Sequence, residues 1–501
     1  MEKYDAIIIG AGLGGLTAGA KLAKEGKKVL LIEQHTIPGG CATTFKRKDF
    51  TIEVGLHETG GLYKDNPKVK IFEELEIFEN VEFLRVPEFY RFKSEKYDLV
   101  IPDDRQQAIN TLVQHFPDEE KGVKKFFKVI FAIGGEINRL PQVRWKQIAL
   151  FPLFPLLFPN LVFRTKQTVG DFLDKTIKNQ DLKLVLVANL TYYHDNPYTM
   201  SLIYFAGAQA EFYHGGYYIK GGSQKLSDHL MHFIEKKGGK VILRHLVTRI
   251  LTENGKAIGV EYKETKSKTD ETQKAFAIYI IANAAVPNVA NQLLIEKESE
   301  KLHKKIQGLE IACSLISVYF GFRKPLKELG NKHYSTFVFD KEVLSLEDMH
   351  ANYKGDWSKR NFVFCDYSQL DSGLAPQGKS VGVICTSDYV SDWDKLSRED
   401  YKARKEEVAQ IFIERIEKLI PGIRDAIEYY EVATAKTIQR YTLNPDGSPY
   451  GFAQTPDQAL FNRVQIKSPI KNLYFASAWS MPGGGFTGAI RGGYFCAKEI
   501  L

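Results

Sequence analysis

A glycine-rich turn near the start of the chain restricts what the rest can fold into. Tyr4-Asp5-Ala6-Ile7-Ile8-Ile9 is a short apolar run of the kind that forms a strand buried on both faces. It runs directly into Gly10-Ala11-Gly12-Leu13-Gly14-Gly15, a GxGxxG. A helix is expected from about Leu13 to Lys24, with Leu16, Ala20 and Ala23 on one face and Gly26 as its stop. Lys28-Val29-Leu30-Leu31-Ile32-Glu33 then reads as a second buried strand ending in an acid, which completes a βαβ unit of about thirty residues. Each part has a physical task. Gly10 permits the tight turn, Gly12 admits a pyrophosphate to the backbone, and Gly15 lets helix and strand pack closely. The helix start at Leu13 and Gly14 offers free N–H groups and a partial positive charge to phosphates. Glu33, followed by Gln34, is placed to accept hydrogen bonds from the adenosine ribose and to repel a 2′-phosphate, which disfavours NADP. The spacing alone does not separate NAD from FAD.

Composition narrows the field. A chain of 501 residues that is 44% apolar, 12% aromatic and 26% charged is neither disordered, collagen-like nor a coiled coil. The five cysteines (Cys41, Cys313, Cys365, Cys385 and Cys496) lie far apart with no CxxC pair. That argues against a zinc ribbon, a redox dithiol or a disulfide scaffold, and fits a reducing, cytoplasmic setting. The net charge of +7 is mild for this length. Without a concentrated basic stripe, nucleic acid is not an expected partner, whereas a weak attraction to anionic lipid is. The apolar stretch from Ala6 to Ala23 is read as strand, turn and helix and not as a leader, because Glu2 and Asp5 precede it and glycines interrupt it.

The next stretch, Gln34-His35-Thr36-Ile37-Pro38-Gly39-Gly40-Cys41-Ala42-Thr43-Thr44-Phe45, brings a second glycine pair soon after the acid. Here the sequence resembles the FAD-containing amine-oxidase superfamily. Within it, the chain looks most like the phytoene desaturase, carotenoid isomerase and retinol saturase group. Gly39 to Phe45 and Phe50-Thr51-Ile52-Glu53-Val54-Gly55-Leu56-His57 are similar to retinol saturases. The likeness returns near 217–262, 278–294 and 439–501 and is thin between them.

The resemblance implies a non-covalently bound FAD. It places Gly40 and Cys41 beside the cofactor, and Val247 where the family brings a strand's backbone against the adenine. Many relatives have an arginine after the glycine pair; this chain has Cys41, so the role of that arginine does not carry over. The terminal segment resembles the family's last motif: a strand at Asn472-Leu473-Tyr474-Phe475-Ala476, a loop containing Gly483-Gly484-Gly485, and a helix opening at Thr487-Gly488-Ala489-Ile490. Gly488, Ala489 and Ile490 are expected to aim N–H groups at the flavin N1/C2=O edge, where charge develops on reduction. Trp479, at the mouth of this loop, is either a wall of the substrate site or core packing.

FAD-binding sequence thus lies at both ends and in the middle. The expected fold class is α/β, with a discontinuous Rossmann-type FAD-binding domain (1–79, 211–300 and 431–501) and a mixed α+β substrate domain (80–210 and 301–430). No second GxGxxG exists, so a built-in NAD(P) domain is not expected.

Residues 148–163 read IALFPLFPLLFPNLVF, without a charge and with prolines at 152, 155 and 159. Sixteen residues fall short of the ~20 that span a bilayer, and the prolines free backbone groups that lipid cannot satisfy. Two readings fit: a buried loop of the substrate domain, or a monotopic patch dipping into one leaflet. Arg144 and Lys146 before it, and Arg164 and Lys166 after it, favour the membrane, giving a peripherally attached protein.

No Ser-His-Asp order, HExxH or metal-spaced histidine cluster stands out, so no metal is expected and the flavin carries the chemistry. Redox at a C–C bond pairs a hydride at the flavin with a proton moved elsewhere. Candidate proton groups are His57, Glu58, Glu211, Tyr213, His214 and Lys220. Glu211 and Tyr213 are preferred, because Ala206 to Gly216 enters the FAD domain from the substrate side. Arg440 and Tyr441 are further wall candidates. By resemblance, the activity is desaturation, saturation or cis–trans isomerisation of a long apolar polyene such as a carotenoid, retinoid or other isoprenoid. Three alternatives stand beside it: an amine oxidase on a soluble amine, an FAD-dependent fatty-acid double-bond isomerase or hydratase, and a non-enzymatic flavoprotein. The polyene, the bond and the electron acceptor or donor stay open.

Overall fold

The computed structural model describes residues 3–141, 144–266 and 271–501. The expected βαβ unit is present as the strand Lys3–Ile9, the helix Leu13–Lys24 and the strand Val29–Ile32. Both strands are buried along nearly their whole length, as continuous apolar runs in a parallel sheet should be. The helix is buried almost all round. Only a sequence as small-sided as Leu-Gly-Gly-Leu-Thr-Ala-Gly-Ala fits there, because the sheet, the helix Gln224–Lys236 and the terminal helix Gly485–Ile500 all pack on it.

The first sheet has seven strands. Its parallel part runs Leu473–Phe475, Gln273–Ala282, Lys3–Ile9, Val29–Ile32, Lys240–Ile242. The long strand Gln273–Ala282 does double duty. Its first residues pair antiparallel with Lys256–Glu264, which pairs in turn with His245–Glu253, and its last three pair with Leu473–Phe475. Ile9, Ile32, Ala282 and Phe475 therefore end on one edge, the edge where open α/β sheets bind ligands.

The second sheet also has seven strands, in the order Ile427–Ala433, Ser314–Phe322, Ser380–Asp388, Phe362–Asp366, Ser335–Val338, Tyr90–Lys93, Asp98–Ile101. All pairs are antiparallel except Ser335–Val338 with Tyr90–Lys93. The strand Ile427–Ala433 crosses the boundary expected at 430/431 and pairs wholly within this sheet. Period-two alternation divides the strand Ser314–Phe322. Ile316, Val318, Phe320 and Phe322 pack with Phe412, Ile413 and Ile416 of the helix Arg398–Leu419, while Leu315, Ser317 and Tyr319 face the other way, toward the first sheet.

The proline-rich run folds into short helical turns: Arg144–Leu150, Phe151–Leu153, Phe154–Leu157 and Pro159–Phe163. Each proline stands at the first or second position of a turn, where no helical N–H is required. Phe154, Phe158 and Leu161 turn inward. Ile148, Phe151, Leu153, Leu156, Leu157 and Phe163 turn out, with Phe151 68%, Leu156 78% and Phe163 75% exposed. Of the expected flanking cations, Lys146 is exposed, Lys166 pairs with Asp457, Arg164 bonds Asn160 and Gln167, and the side chain of Arg144 lies outside the described residues. No helix among the described residues is long and apolar enough to cross a membrane.

Candidate functional site

A cavity of about 490 Å³ opens at the shared strand edge and reaches the strand Ser314–Phe322. Of the residues singled out in the sequence, Gly10, Gly12, Leu13, Gly14, Glu33, Gln34, Gly40, Cys41, Val247, Trp479 and Ala489 line it. At its floor, Gly10 has φ +93°, and a Cβ there would stand 2.8 Å from the Asn283 carbonyl oxygen. The Asn283 side chain donates to the Gly10 carbonyl at 3.1 Å and so staples the turn. A Cβ on Gly14 would collide with the Ala476 carbonyl. The glycines are thus fixed by protein contacts before any ligand arrives.

Two helices begin at this cavity. Leu13–Lys24 starts at Gly12 and Gly485–Ile500 at Gly484; neither has a side-chain cap, and neither has an acid in its first turn. Uncapped N–H groups at a helix start are sites for negative charge. Two such starts on one cavity fit a dinucleotide whose pyrophosphate and ring edge are both electron-rich. Glu33 is buried, and accepts from the Ala11 N–H at 2.6 Å and the His35 N–H at 2.7 Å. A carboxylate offers about four lone-pair sites, so acceptor capacity remains for ribose hydroxyls. Burial raises its pKa, against the lowering pull of the two N–H groups. Burial also pushes the Cys41 thiol up to about 11, which keeps it protonated and unreactive near neutrality. The Trp479 indole lines the cavity while packing edge-on against Phe452 and donating to Asn444. Tyr441 lines the cavity beside Gln34, whose amide donates to its carbonyl, and Arg440 lies against the Tyr441 ring.

The remaining candidates lie elsewhere. Gly15 packs against the Gly10 carbonyl. The terminal helix begins two residues before the expected Thr487, and it presents Gly485, Phe486 and Ala489 to the cavity. Gly488 faces the Gly483 carbonyl instead, and Ile490 is in the core. His57 stacks on Tyr192 with ring centroids 5.3 Å apart, and burial lowers its pKa to about 4, so the ring is neutral. Tyr213 sits among Phe89 and Phe127, with burial raising its pKa. Glu211 is ion-paired with Arg491 of the terminal helix at 2.8 Å. Burial, then Asp103 and Glu88, push the Glu58 carboxyl well up. His214 stacks against Tyr63, and Lys220 pairs with Asp371 and Glu82 at the surface.

Several residues at the site carried no signal in the sequence. Tyr319 and Tyr450 line the cavity. Tyr319, Tyr367 and Tyr334 donate their hydroxyls to the carbonyls of Val54, Leu56 and His57, at 3.0 Å for the first two, and pin that segment between the sheets. Arg463 is buried and donates to five acceptors, four of them main-chain carbonyls: Tyr450, Phe452, Ala478 and Ser480, with Gln454 the fifth. Arg491 was discoverable, since it lies four residues after Thr487 on one helix face.

The all-trans-retinol 13,14-reductase of Danio rerio is 28% identical over 542 residues, covering 100% of this chain and 86% of that protein. The chloroplastic prolycopene isomerase of Daucus carota is 28% identical over 511 residues, covering 100% and 80%. Among solved structures, cyclohexylamine oxidase from Brevibacterium oxydans IH-35A superimposes with a TM-score of 0.64 at 17% identity, over 100% of this chain and 99% of that one; this likeness concerns the fold. The family model for flavin-containing amine oxidoreductases matches residues 13–501, and the chain belongs to that family.

Proposed function

We propose that this protein binds FAD non-covalently in the cavity between the two uncapped helix starts and acts on the C=C or C–C bonds of a long apolar polyene by desaturation, saturation or cis–trans isomerisation. The observation that carries the reading is the likeness, over the whole chain, to a retinol reductase and a prolycopene isomerase, two proteins named for polyene substrates. The bound flavin supplies hydride transfer. The chain's own residues hold and shield it. Gly12 to Gly14 meet the pyrophosphate, Glu33 the ribose, and the backbone at Val247 the adenine. Gly485, Phe486 and Ala489 bring the terminal helix start to the ring, where its partial charge favours developing negative charge. Leu315, Tyr319, Tyr450 and Trp479 wall the cavity and exclude water. The high pKa of Cys41 supports a cofactor held without a covalent bond.

A polyene partitions into lipid, and the outward-facing Ile148, Phe151, Leu156 and Phe163 supply a surface to meet it. Each such side chain gains ~1.5–3 kcal/mol gross on leaving water, enough in combination for reversible attachment to one leaflet.

The test uses purified protein with liposomes carrying either all-trans-retinol or a poly-cis carotenoid, with dithionite-reduced flavin as donor for saturation or isomerisation and with oxidised flavin in air as acceptor for desaturation. FAD should be released intact on denaturation, and the product should gain two hydrogens, lose two, or keep its mass with a changed retention time. A protein that takes up no FAD on reconstitution would remove the cofactor reading; turnover of a soluble amine with neither polyene altered would remove the substrate reading.

A further inference from the structure

The Lys68 side chain is completely buried, and its hydrogen-bond acceptors are all neutral. Its Nζ donates to Thr59 Oγ1 at 2.9 Å, to the Gly60 carbonyl, and to Thr487 Oγ1 at 3.1 Å, and lies 5.7 Å from the Phe72 ring centroid. An ammonium in such a place is held against a steep desolvation cost. The charged groups nearest to it are Glu211, from the helix Leu202–Phe212, and Arg491, from the terminal helix. These two are paired with each other at 2.8 Å, and their effects on Lys68 oppose one another. Burial therefore dominates and lowers the amine to about 8.

Its position gives this group a second meaning. Thr487 lies in the first turn of the terminal helix, next to Phe486 and two residues before Ala489, both of which line the cavity. The ammonium is one hydrogen bond from the turn that meets the ring. Arg463, on the loop side, is also buried against neutral acceptors, but burial lowers it only to about 10, so its charge is constant near neutrality. Of these two cations buried against neutral acceptors, Lys68 alone titrates near neutral pH.

We propose that Lys68 couples reduction of the flavin to proton uptake by the protein, an inference that rests on the cofactor reading above. Two electrons and one proton delivered to the flavin leave one additional negative charge at the start of the terminal helix. Where the Lys68 amine is neutral before reduction, it answers this charge by taking a second proton from solvent and becoming an ammonium, so that two electrons and two protons enter together. The electrons come from the external reductant. By linkage, the charge that tightens proton binding at Lys68 is one that Lys68, once protonated, makes easier to form. Lys68 is a positioning residue, acting through Thr487 and through space and not on the substrate.

The test is the midpoint potential of the flavin-loaded protein from about pH 6 to about pH 10, by stepwise dithionite reduction against a reference dye. In the wild type, a window opening near pH 8 should show an extra tenfold change per pH unit in the oxidised-to-reduced ratio, which is 30 mV per pH unit for a two-electron couple. Lys68→Met should lack the window and have a lower potential at neutral pH. Lys68→Arg should keep the higher potential without the window. A wild-type profile of constant slope above neutrality overturns the proposal without any variant, as does a Lys68→Met profile that superimposes on it. Failure of the wild type to retain flavin would overturn the cofactor reading itself, and is told apart by the absence of the flavin spectrum.

Discussion

Gly14 and Gly26 separate the two reasons a glycine is needed. A Cβ on Gly14 would run into the Ala476 carbonyl, which only movement of the strand Leu473–Phe475 and its loop relieves, whereas Gly26, at φ +76°, has nothing within 4 Å. Gly14→Ala should therefore cost at least ~3 kcal/mol, the upper end of overpacking, and release the flavin. Gly26→Ala should cost only the ~1–2 kcal/mol of a left-handed backbone and leave the flavin bound. Thermal melts with flavin retention check both, and equal losses would mean that the Ala476 contact does not matter. Lys68 gives a pH signature of its own in the flavin-free protein. Its amine sits at about 8 folded and at the ordinary 10.5 unfolded. Between those values the unfolded chain binds more protons, so stability rises with pH. The span is worth about 3 kcal/mol. Lys68→Met loses this slope but leaves three acceptors without their donor, at ~1–3 kcal/mol, so the two proteins should be close in stability near neutrality and diverge in favour of the wild type above pH 8. Urea midpoints at neutral and alkaline pH measure the divergence; parallel curves would mean Lys68 is not held as described.

The short turns of 148–163 place apolar side chains on both sides, and this asymmetry was invisible in a run whose single polar residue, Asn160, is too little to mark a face. Periodicity needs contrast, and an almost uniformly apolar segment supplies too little. The nucleotide cradle was legible for the opposite reason: strand, glycines, helix and acid follow within about thirty residues, so local spacing carries the information. The terminal helix was read nearly to its start, yet the residues it turns to the cavity are Gly485, Phe486 and Ala489, because its first turn begins inside the glycine run and shifts the facing positions. The exposed side of the patch makes a separable prediction. Phe151→Asp with Leu156→Asp should leave the melting temperature almost unchanged and abolish flotation with anionic liposomes. Phe154→Ala, on the inward side, should cost about 3–5 kcal/mol while leaving the lipid-facing side chains in place. If the double aspartate variant floats like the wild type, the patch is not the attachment surface.

At the scale of the molecule, the site exists because two sheets from interleaved segments meet. Few of the contacts that join them are local. The tyrosine hydroxyls that hold Val54, Leu56 and His57 come from residues 319 to 367, far along the chain from the segment they fasten. Short-range patterning cannot anticipate such partners, which is why Tyr319, Arg463 and Lys68 surface only in three dimensions. The pinned segment joins the two halves, since Val54 and Gly55 line the cavity while the hydroxyls come from the second sheet and its flanks: Tyr319 from within a strand, Tyr334 from just before Ser335–Val338 and Tyr367 from just after Phe362–Asp366. If Val54 to His57 behaves as one ribbon, its fastenings are coupled. Tyr319→Phe and Tyr367→Phe each leave a buried carbonyl without its donor, at ~1–3 kcal/mol apiece. Once one fastening is lost the ribbon relaxes, so the second loss should cost less than it does alone. A double-mutant cycle on unfolding free energy should then give a coupling of ~0.5 kcal/mol or more, where independent sites add within ~0.3–0.5. Flavin dissociation should accelerate in the same order, because Tyr319 also walls the cavity and Tyr367 acts only through the ribbon. Strict additivity in both measurements would mean that the two sheets meet at the cavity without being mechanically joined there.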